Sequence, residues 1–284
     1  MSGPILVTGA TGNTGSALLD LLVERGADVR AMVRGPAQLP EAVTQVVADF
    51  DDAASLAAAL GGVERAYLVT PSSERAQAQQ ERFADAAVEA GVQHLVVLSQ
   101  LASDEQSPVR FLRYHAAVEQ HVEKLGIDYT FLRPNLFFQG LLAFAGSVAA
   151  DSRIYAPIGT AKVSAVDVRD IAAVAAAALT ETGHDGRTYT ITGPSAITHA
   201  EIADALGEAL GRPIAFVDVT PEMFAQGIEG LLPPWQVAGL LEDYAHYRRG
   251  EAAEVTATVE EVTGRPARDV RAFAHDYASF FAGS

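Results

Sequence analysis

The segment Gly9-Ala10-Thr11-Gly12-Asn13-Thr14-Gly15 constrains this chain more than any other. It directly follows the apolar run Pro4-Ile5-Leu6-Val7-Thr8. It opens onto Ser16-Ala17-Leu18-Leu19-Asp20-Leu21-Leu22, whose apolar spacing is helical. Strand, glycine turn and helix together are the context in which G-x-x-G-x-x-G means dinucleotide binding. The glycines let backbone N–H groups approach a pyrophosphate, and the positive end of the helix dipole favours its charge. Thr11, Asn13 and Thr14 complete the expected phosphate cradle. A tight strand-to-helix turn without a ligand is the alternative.

The rest of the first half repeats the pattern. Apolar runs at 5–7, 29–33, 43–47, 66–69, 95–98 and 129–132 read as buried strands. Helical patterns separate them at 14–25, 53–60, 74–90 and 109–125. Such alternation predicts an α/β fold with a parallel, doubly wound sheet of the Rossmann kind, with ligands at the carboxyl ends of its strands. Further on, 163–166 reads as a strand, and Asp167-Val168-Arg169-Asp170 as a capping box for an Ala-rich helix over 171–179. Residues 188–192 read as a strand, and Thr198 caps a helix that Gly211 stops. Trp235 opens more helix, and a last amphipathic helix runs over 269–281. The expected division is a dinucleotide-binding domain of 1–134 with a return segment 163–193. A smaller, mainly helical substrate lobe takes 135–162 and 194–284.

Composition narrows the function classes. The 284 residues are 49% hydrophobic, enough for a sizeable core, and the net charge is −16. That acidity argues against nucleic acid or an anionic membrane as a partner, since either needs a basic face. Without cysteine there is no disulfide, thiol nucleophile or thiolate metal site, and no His/Asp/Glu cluster has metal-ligand spacing. No basic region precedes the first apolar run and no long apolar span occurs, so a cytoplasmic protein is expected. A monomer and a homodimer both suit an acidic chain of this size.

The second strand should end at Val33, beside the adenosine ribose. Arg34 stands there, 19 positions after Gly15, where an acidic residue would bind the ribose of NAD. An arginine suits a 2′-phosphate, hence NADPH, with NADH the alternative donor; a solvated loop cation is the alternative for Arg34 itself. Arg30 adds charge only if it points the same way. Asp49, with Phe50, is placed to meet the adenine edge, and a helix cap is the equal alternative for Asp49. Thr70 and Pro71 close the fourth strand and line the cofactor ribose.

On V-T-G-A-T-G-N-T-G, the V-R-G around Arg34, L-R-P-N at 132–135, V-D-V-R-D-I-A at 166–172 and T-G-P at 192–194, the chain resembles the NmrA-like, atypical branch of the short-chain dehydrogenase/reductase superfamily. The likeness covers nearly the full length. Within the branch it is most similar to bacterial NAD(P)H:quinone oxidoreductases, with azo-dye and triphenylmethane-dye reductases nearby. The resemblance implies an oxidoreductase, and one departure bears on its chemistry. The usual superfamily enzyme carries Y-x-x-x-K, in which the lysine lowers the tyrosine pKa for proton donation to a carbonyl oxygen. Here Tyr114 is followed four positions later by Val118, and neither lysine, Lys124 or Lys162, has a tyrosine four positions before it.

Quinone reduction tolerates that loss. Hydride addition to a ketone forms an alkoxide whose conjugate acid has a pKa of about 16, near that of water. Addition to a quinone forms a phenolate-like anion of pKa nearer ~10, easier by about 8 kcal/mol at about 1.36 kcal/mol per unit. Positioning and one weak donor then suffice. His115 and Glu119 share a helix face. The resemblance implies that His115 orients or protonates the acceptor while Glu119 holds its tautomer, and a surface or packing pair is the alternative. Ser99 and Gln100 follow the fifth strand, where the resemblance places a Ser or Thr near the nicotinamide; Ser99 is a hydrogen-bond donor to the acceptor or, as an equal alternative, part of a strand-end turn. Pro134 and the loop after it cover the nicotinamide in the same way, and Phe137 or Phe138 stacks on a flat acceptor unless both are core aromatics. Tyr155 and Trp235 are further pocket candidates. The expectation is an NADPH-dependent reductase of a small quinone-like aromatic. A nicotinamide-binding redox sensor without turnover, or an isomerase or lyase with a tightly held nicotinamide, are the alternatives.

Overall fold

The structure, a computed structural model, describes residues 3–283. The chain runs β1 (Ile5–Val7), α1 (Asn13–Glu24), β2 (Val29–Val33), β3 (Val43–Val47), α2 (Ala53–Leu60), β4 (Arg65–Leu68), α3 (Ala76–Glu89), β5 (His94–Leu98), α4 (Arg110–Leu125) and β6 (Asp128–Pro134). It continues through a 3-10 helix (Phe138–Phe144), α5 (Ala145–Asp151), β7 (Arg153–Ala156), α6 (Val168–Thr180), β8 (Arg187–Ile191), α7 (His199–Leu210) and β9 (Ala215–Asp218). Helices α8 (Pro221–Gly227), α9 (Pro234–Arg248), α10 (Thr258–Thr263), α11 (Val270–Asp276) and α12 (Ala278–Phe281) complete it.

Two compact units result. The first comprises Met1–Ser107, Leu112–Pro134 and Val168–Thr190. Its seven-stranded sheet has the order β3-β2-β1-β4-β5-β6-β8, and the pairings from β3 through β6 are parallel. The chain winds outward from β1 to β3, then returns to lay β4 on the other side of β1. That reversal opens a crevice at the carboxyl ends of β1 and β4, the ligand position of a Rossmann sheet. One core cluster centres on Leu6, Leu68, Phe83, Leu95, Val97 and Phe131. Each such side chain, fully buried, contributes about 1.5–3 kcal/mol. The all-but-buried alanine face of α6 packs along α1.

The second unit comprises Pro108–Phe111, Asn135–Asp167 and Ile191–Ser284 and is mainly helical. Its cores gather around Phe138, Phe273 and Phe281, and around Phe224, Tyr244 and Tyr247. Two expectations are corrected here. Residues 163–166 form no strand: Val163 bridges Ile197 antiparallel and Val166 bridges Phe137 in parallel, two single bridges of opposite sense. The last helix is two pieces, because Tyr277 leaves helical geometry at φ −106°, ψ 10° while its ring stacks on Phe273. A two-stranded parallel sheet of β7 and β9, with no counterpart in the sequence pattern, is also present. The cap at Thr198 is as expected, with Glu201 completing the box, and Gly211 ends α7 at φ +64°. Among the described residues no helix is long and apolar enough to cross a membrane.

Candidate active site

The two central strands are fixed to each other at their carboxyl ends. Thr8 Oγ1 donates to the Val69 carbonyl at 2.9 Å and accepts from the Val69 N–H at 2.8 Å. Gly9 then turns at φ +58°, where a Cβ would stand 2.5 Å from Val69 Cγ1. A Cβ on Gly15 would stand 2.1 Å from the Gly9 carbonyl oxygen. No rotamer relieves that backbone clash, so α1 can press on the turn only with glycine there. The Gly12 N–H donates to the Gly9 carbonyl at 2.8 Å and closes the turn.

Gly12 is also the N-cap of α1, and no side chain caps the helix. Its first amides therefore keep their hydrogen-bonding capacity for an anion. Thr11, Gly12 and Asn13 are exposed around this mouth, while Thr14 and Gly15 are buried beneath it. An uncapped helix start behind three glycines fits a dinucleotide's diphosphate.

Arg34 leaves β2 exposed and takes no hydrogen bond or ion pair among the described residues. Its five N–H donors remain for a phosphate. Arg30, by contrast, is spent on the Gly61 carbonyl at 2.7 Å. Asp49 does not cap α2. Asp52 does, accepting from the Ala54 and Ser55 amides, whereas Asp49 Oδ1 accepts from the Asp51 N–H at 2.9 Å. Phe50 is half-buried and its ring leans on Phe83, 5.8 Å away. That makes it part of the core margin.

Past β4, Thr70 Oγ1 accepts from Gln80 Nε2 at 2.9 Å, and Pro71 is exposed beside it. Past β5, Ser103 Oγ donates to the Gln100 carbonyl at 2.6 Å. With that hydrogen spent, the 3.0 Å contact between Ser99 and Ser103 has Ser99 as donor. Ser99 thus spends its hydrogen on Ser103, which fits the strand-end turn and not a donor to the acceptor. The turn passes through Ala102 at φ +61°, a conformation costing a non-glycine residue about 1 kcal/mol or more. The Leu101 N–H ties it to the Pro134 carbonyl at 2.9 Å.

Helix α4 buries Leu112, His115, Ala116, Glu119 and Val122 on one face. His115 and Glu119 do share it, but they are not partners. Arg133, on β6, grips Glu119 with two nitrogens, Nε at 2.9 Å from Oε1 and Nη2 on Oε2. The carboxylate in turn holds the Arg133 pKa above its ordinary value. A bidentate ion pair outcompetes a bond to a neutral imidazole, so Glu119 does not set the His115 tautomer. His115 Nδ1 is buried with no hydrogen-bond partner, and the ring lies against Tyr114 at 4.1 Å. Burial pushes its pKa down to about 3.

The model of the NmrA-like family matches residues 1–274. The chain belongs to the NmrA-like family. It is 38% identical to an NAD(P)H azoreductase of Xenophilus azovorans, over 98% of this chain and 99% of that protein. It is 39% identical to a (4-alkanoyl-5-oxo-2,5-dihydrofuran-3-yl)methyl phosphate reductase of Streptomyces griseus, with the same coverage. Among solved structures, the NADPH-dependent quinone oxidoreductase of Escherichia coli in complex with NADPH superposes with a TM-score of 0.86. It is 27% identical, over 96% of this chain and 99% of that one.

In this NmrA-like chain the second unit carries the four aromatic candidates. Phe138 is corrected: it is fully buried and stacks on Phe273 at 5.3 Å, a core residue. Phe137 is half-buried, opens the 3-10 helix and has no aromatic partner among the described residues. Tyr155 lies on β7 with its hydroxyl 3.5 Å from Asp151. Trp235 packs at 5.3 Å on Phe111 and under the Arg110 guanidinium, which Glu242 holds at 2.7 Å. That environment is an anchor for the start of α9. The sequence missed Arg133 because it meets Glu119 from another element, with no local spacing to signal it. Among the described residues no group of three His, Asp or Glu could hold a metal.

Proposed function

We propose that this chain is an NADPH-dependent reductase that transfers hydride to a quinone or similarly conjugated aromatic acceptor, as a cytoplasmic monomer or homodimer. The observation that carries it is the open start of α1 combined with the unpartnered Arg34 at the end of β2, in a chain that aligns with reductases over 98% of its residues. The amides of Asn13, Thr14 and Gly15 hold the diphosphate, Arg34 the 2′-phosphate and Asp49 the adenine edge, while Thr70, Pro71, Gln100 and Pro134 border the nicotinamide ribose. Bound NADPH supplies the hydride.

His115 answers the missing Tyr-x-x-x-Lys pair. Its depressed pKa keeps the imidazole neutral at physiological pH. An unpaired buried N–H is the costlier orphan, so the proton sits on Nε2 and leaves Nδ1 bare. A neutral Nε2–H is a weak donor, adequate for the phenolate-like oxygen of a reduced quinone and poor for an alkoxide. Phe137 is the aromatic left to face a flat acceptor.

The test is NADPH oxidation against a benzoquinone, a naphthoquinone, a hydroxyanthraquinone, an azo dye and a simple ketone, repeated with NADH. Quinone-dependent turnover is expected, with the ketone inert. Arg34→Ala should weaken NADPH by about 10- to 100-fold, as for loss of a charge-assisted hydrogen bond, and leave NADH unchanged. Tight NADPH binding without turnover on any acceptor would overturn the reductase in favour of a sensor.

A further inference from the structure

Beneath the glycine turn two hydroxyls meet. Tyr67, the third residue of β4, is completely buried, and its hydroxyl donates to Thr14 Oγ1 at 3.1 Å. No other partner of that hydroxyl exists among the described residues. Burial raises the phenol pKa, so Tyr67 keeps the hydrogen it donates. Thr14 is the second residue of α1, itself 5% exposed, in the turn whose amides no side chain caps. A threonine hydroxyl has one hydrogen to give. Its oxygen already accepts from Tyr67, and its own hydrogen has no acceptor among the described residues.

We propose that Tyr67 is a positioning residue for the diphosphate of the bound dinucleotide, its hydroxyl fixing Thr14 so that the threonine hydrogen is presented to a diphosphate oxygen. This rests on the dinucleotide assignment made above. Without the Tyr67 hydroxyl, the Thr14 rotor is free to turn its hydrogen away, and the orienting cost falls on binding. The tyrosine ring only fills the core, and a phenylalanine would fill it equally. The hydroxyl is what the diphosphate senses.

The experiment titrates the full chain with two probes, NADPH and adenosine 2′-monophosphate, which shares the 2′-phosphate but has no diphosphate. Tyr67→Phe should weaken NADPH by about three- to tenfold, the worth of one hydrogen bond, and leave the monophosphate unchanged. Thr14→Val should weaken NADPH at least as much, Thr14→Ser should bind like the parent, and Tyr67→Phe added to Thr14→Val should cost nothing more. Unchanged NADPH affinity in Tyr67→Phe, additive losses in the double variant, or equal weakening of both probes would each overturn the proposal. If Tyr67→Phe does not fold, parent-like NADPH binding by Thr14→Val overturns it instead. Failure of the unmodified chain to bind NADPH at all is a different result, and sinks the dinucleotide assignment itself.

Discussion

Acidification should loosen the second unit, and one identifiable share of the loss belongs to His199. It is the first residue of α7, completely buried, and neither ring nitrogen has a hydrogen-bond partner. The rings of Phe216 and Tyr244 flank it at 5.7 and 6.2 Å. Burial holds its pKa down, from the ordinary 6.5 to about 4. Its place at a helix N-terminus disfavours the cation further. The unfolded chain therefore binds a proton below pH 6.5 that the folded chain refuses until about pH 4. Stability rises with pH across that window and is lost as pH falls through it. The gap of about 2.5 between the two values, at about 1.4 kcal/mol each, is worth about 3 kcal/mol once pH reaches 4. Between pH 7.5 and 5.5, above most carboxylate titration, the share of His199 is about 1 kcal/mol. The assay is reversible denaturant unfolding at those two pH values, for the parent and for His199→Phe. Burial also lowers His94, His115 and His246, so the parent should lose more than this one share. The variant should lose about 1 kcal/mol less than the parent. Equal losses in the two proteins would refute the account.

Three further outcomes are expected. Gly15→Ala places a Cβ 2.1 Å from the Gly9 carbonyl oxygen; it should abolish measurable NADPH binding in a titration and destabilise by about 1–3 kcal/mol. Phe138→Ala empties the stack on Phe273 and should cost about 3–5 kcal/mol in denaturant unfolding, whereas Phe137→Ala should raise the acceptor KM with little change in stability. Thr198→Ala removes the cap and the reciprocal bond of Glu201 and should lower unfolding free energy by about 1 kcal/mol, with NADPH affinity intact.

Much of the fold was written locally. The strands and helices of the first unit are within a few residues of their apolar patterns, because a period of two or of 3.6 is a property of neighbouring residues. The Thr198 box and the Gly211 stop were legible for the same reason. The second unit was less so. β7 and β9 are four residues each and stabilise one another only as a pair, 62 positions apart. The segment 163–166 has strand composition, yet its two ends bridge different partners.

The sequence by itself determined the glycine turn, the arginine after the second strand and the absence of a Tyr-x-x-x-Lys pair, since each is a matter of residue identity at a fixed spacing. Only the tertiary structure decided who bonds to whom. Glu119 faces His115 along the helix but is taken by Arg133 from the adjoining strand. Phe138 goes to the core, Ser99 spends its hydrogen on Ser103, and Tyr67 reaches Thr14 across 53 positions. A side chain's spacing says which face it occupies. Its partner is set by whichever element packs against that face, and by which of the competing hydrogen bonds is strongest there.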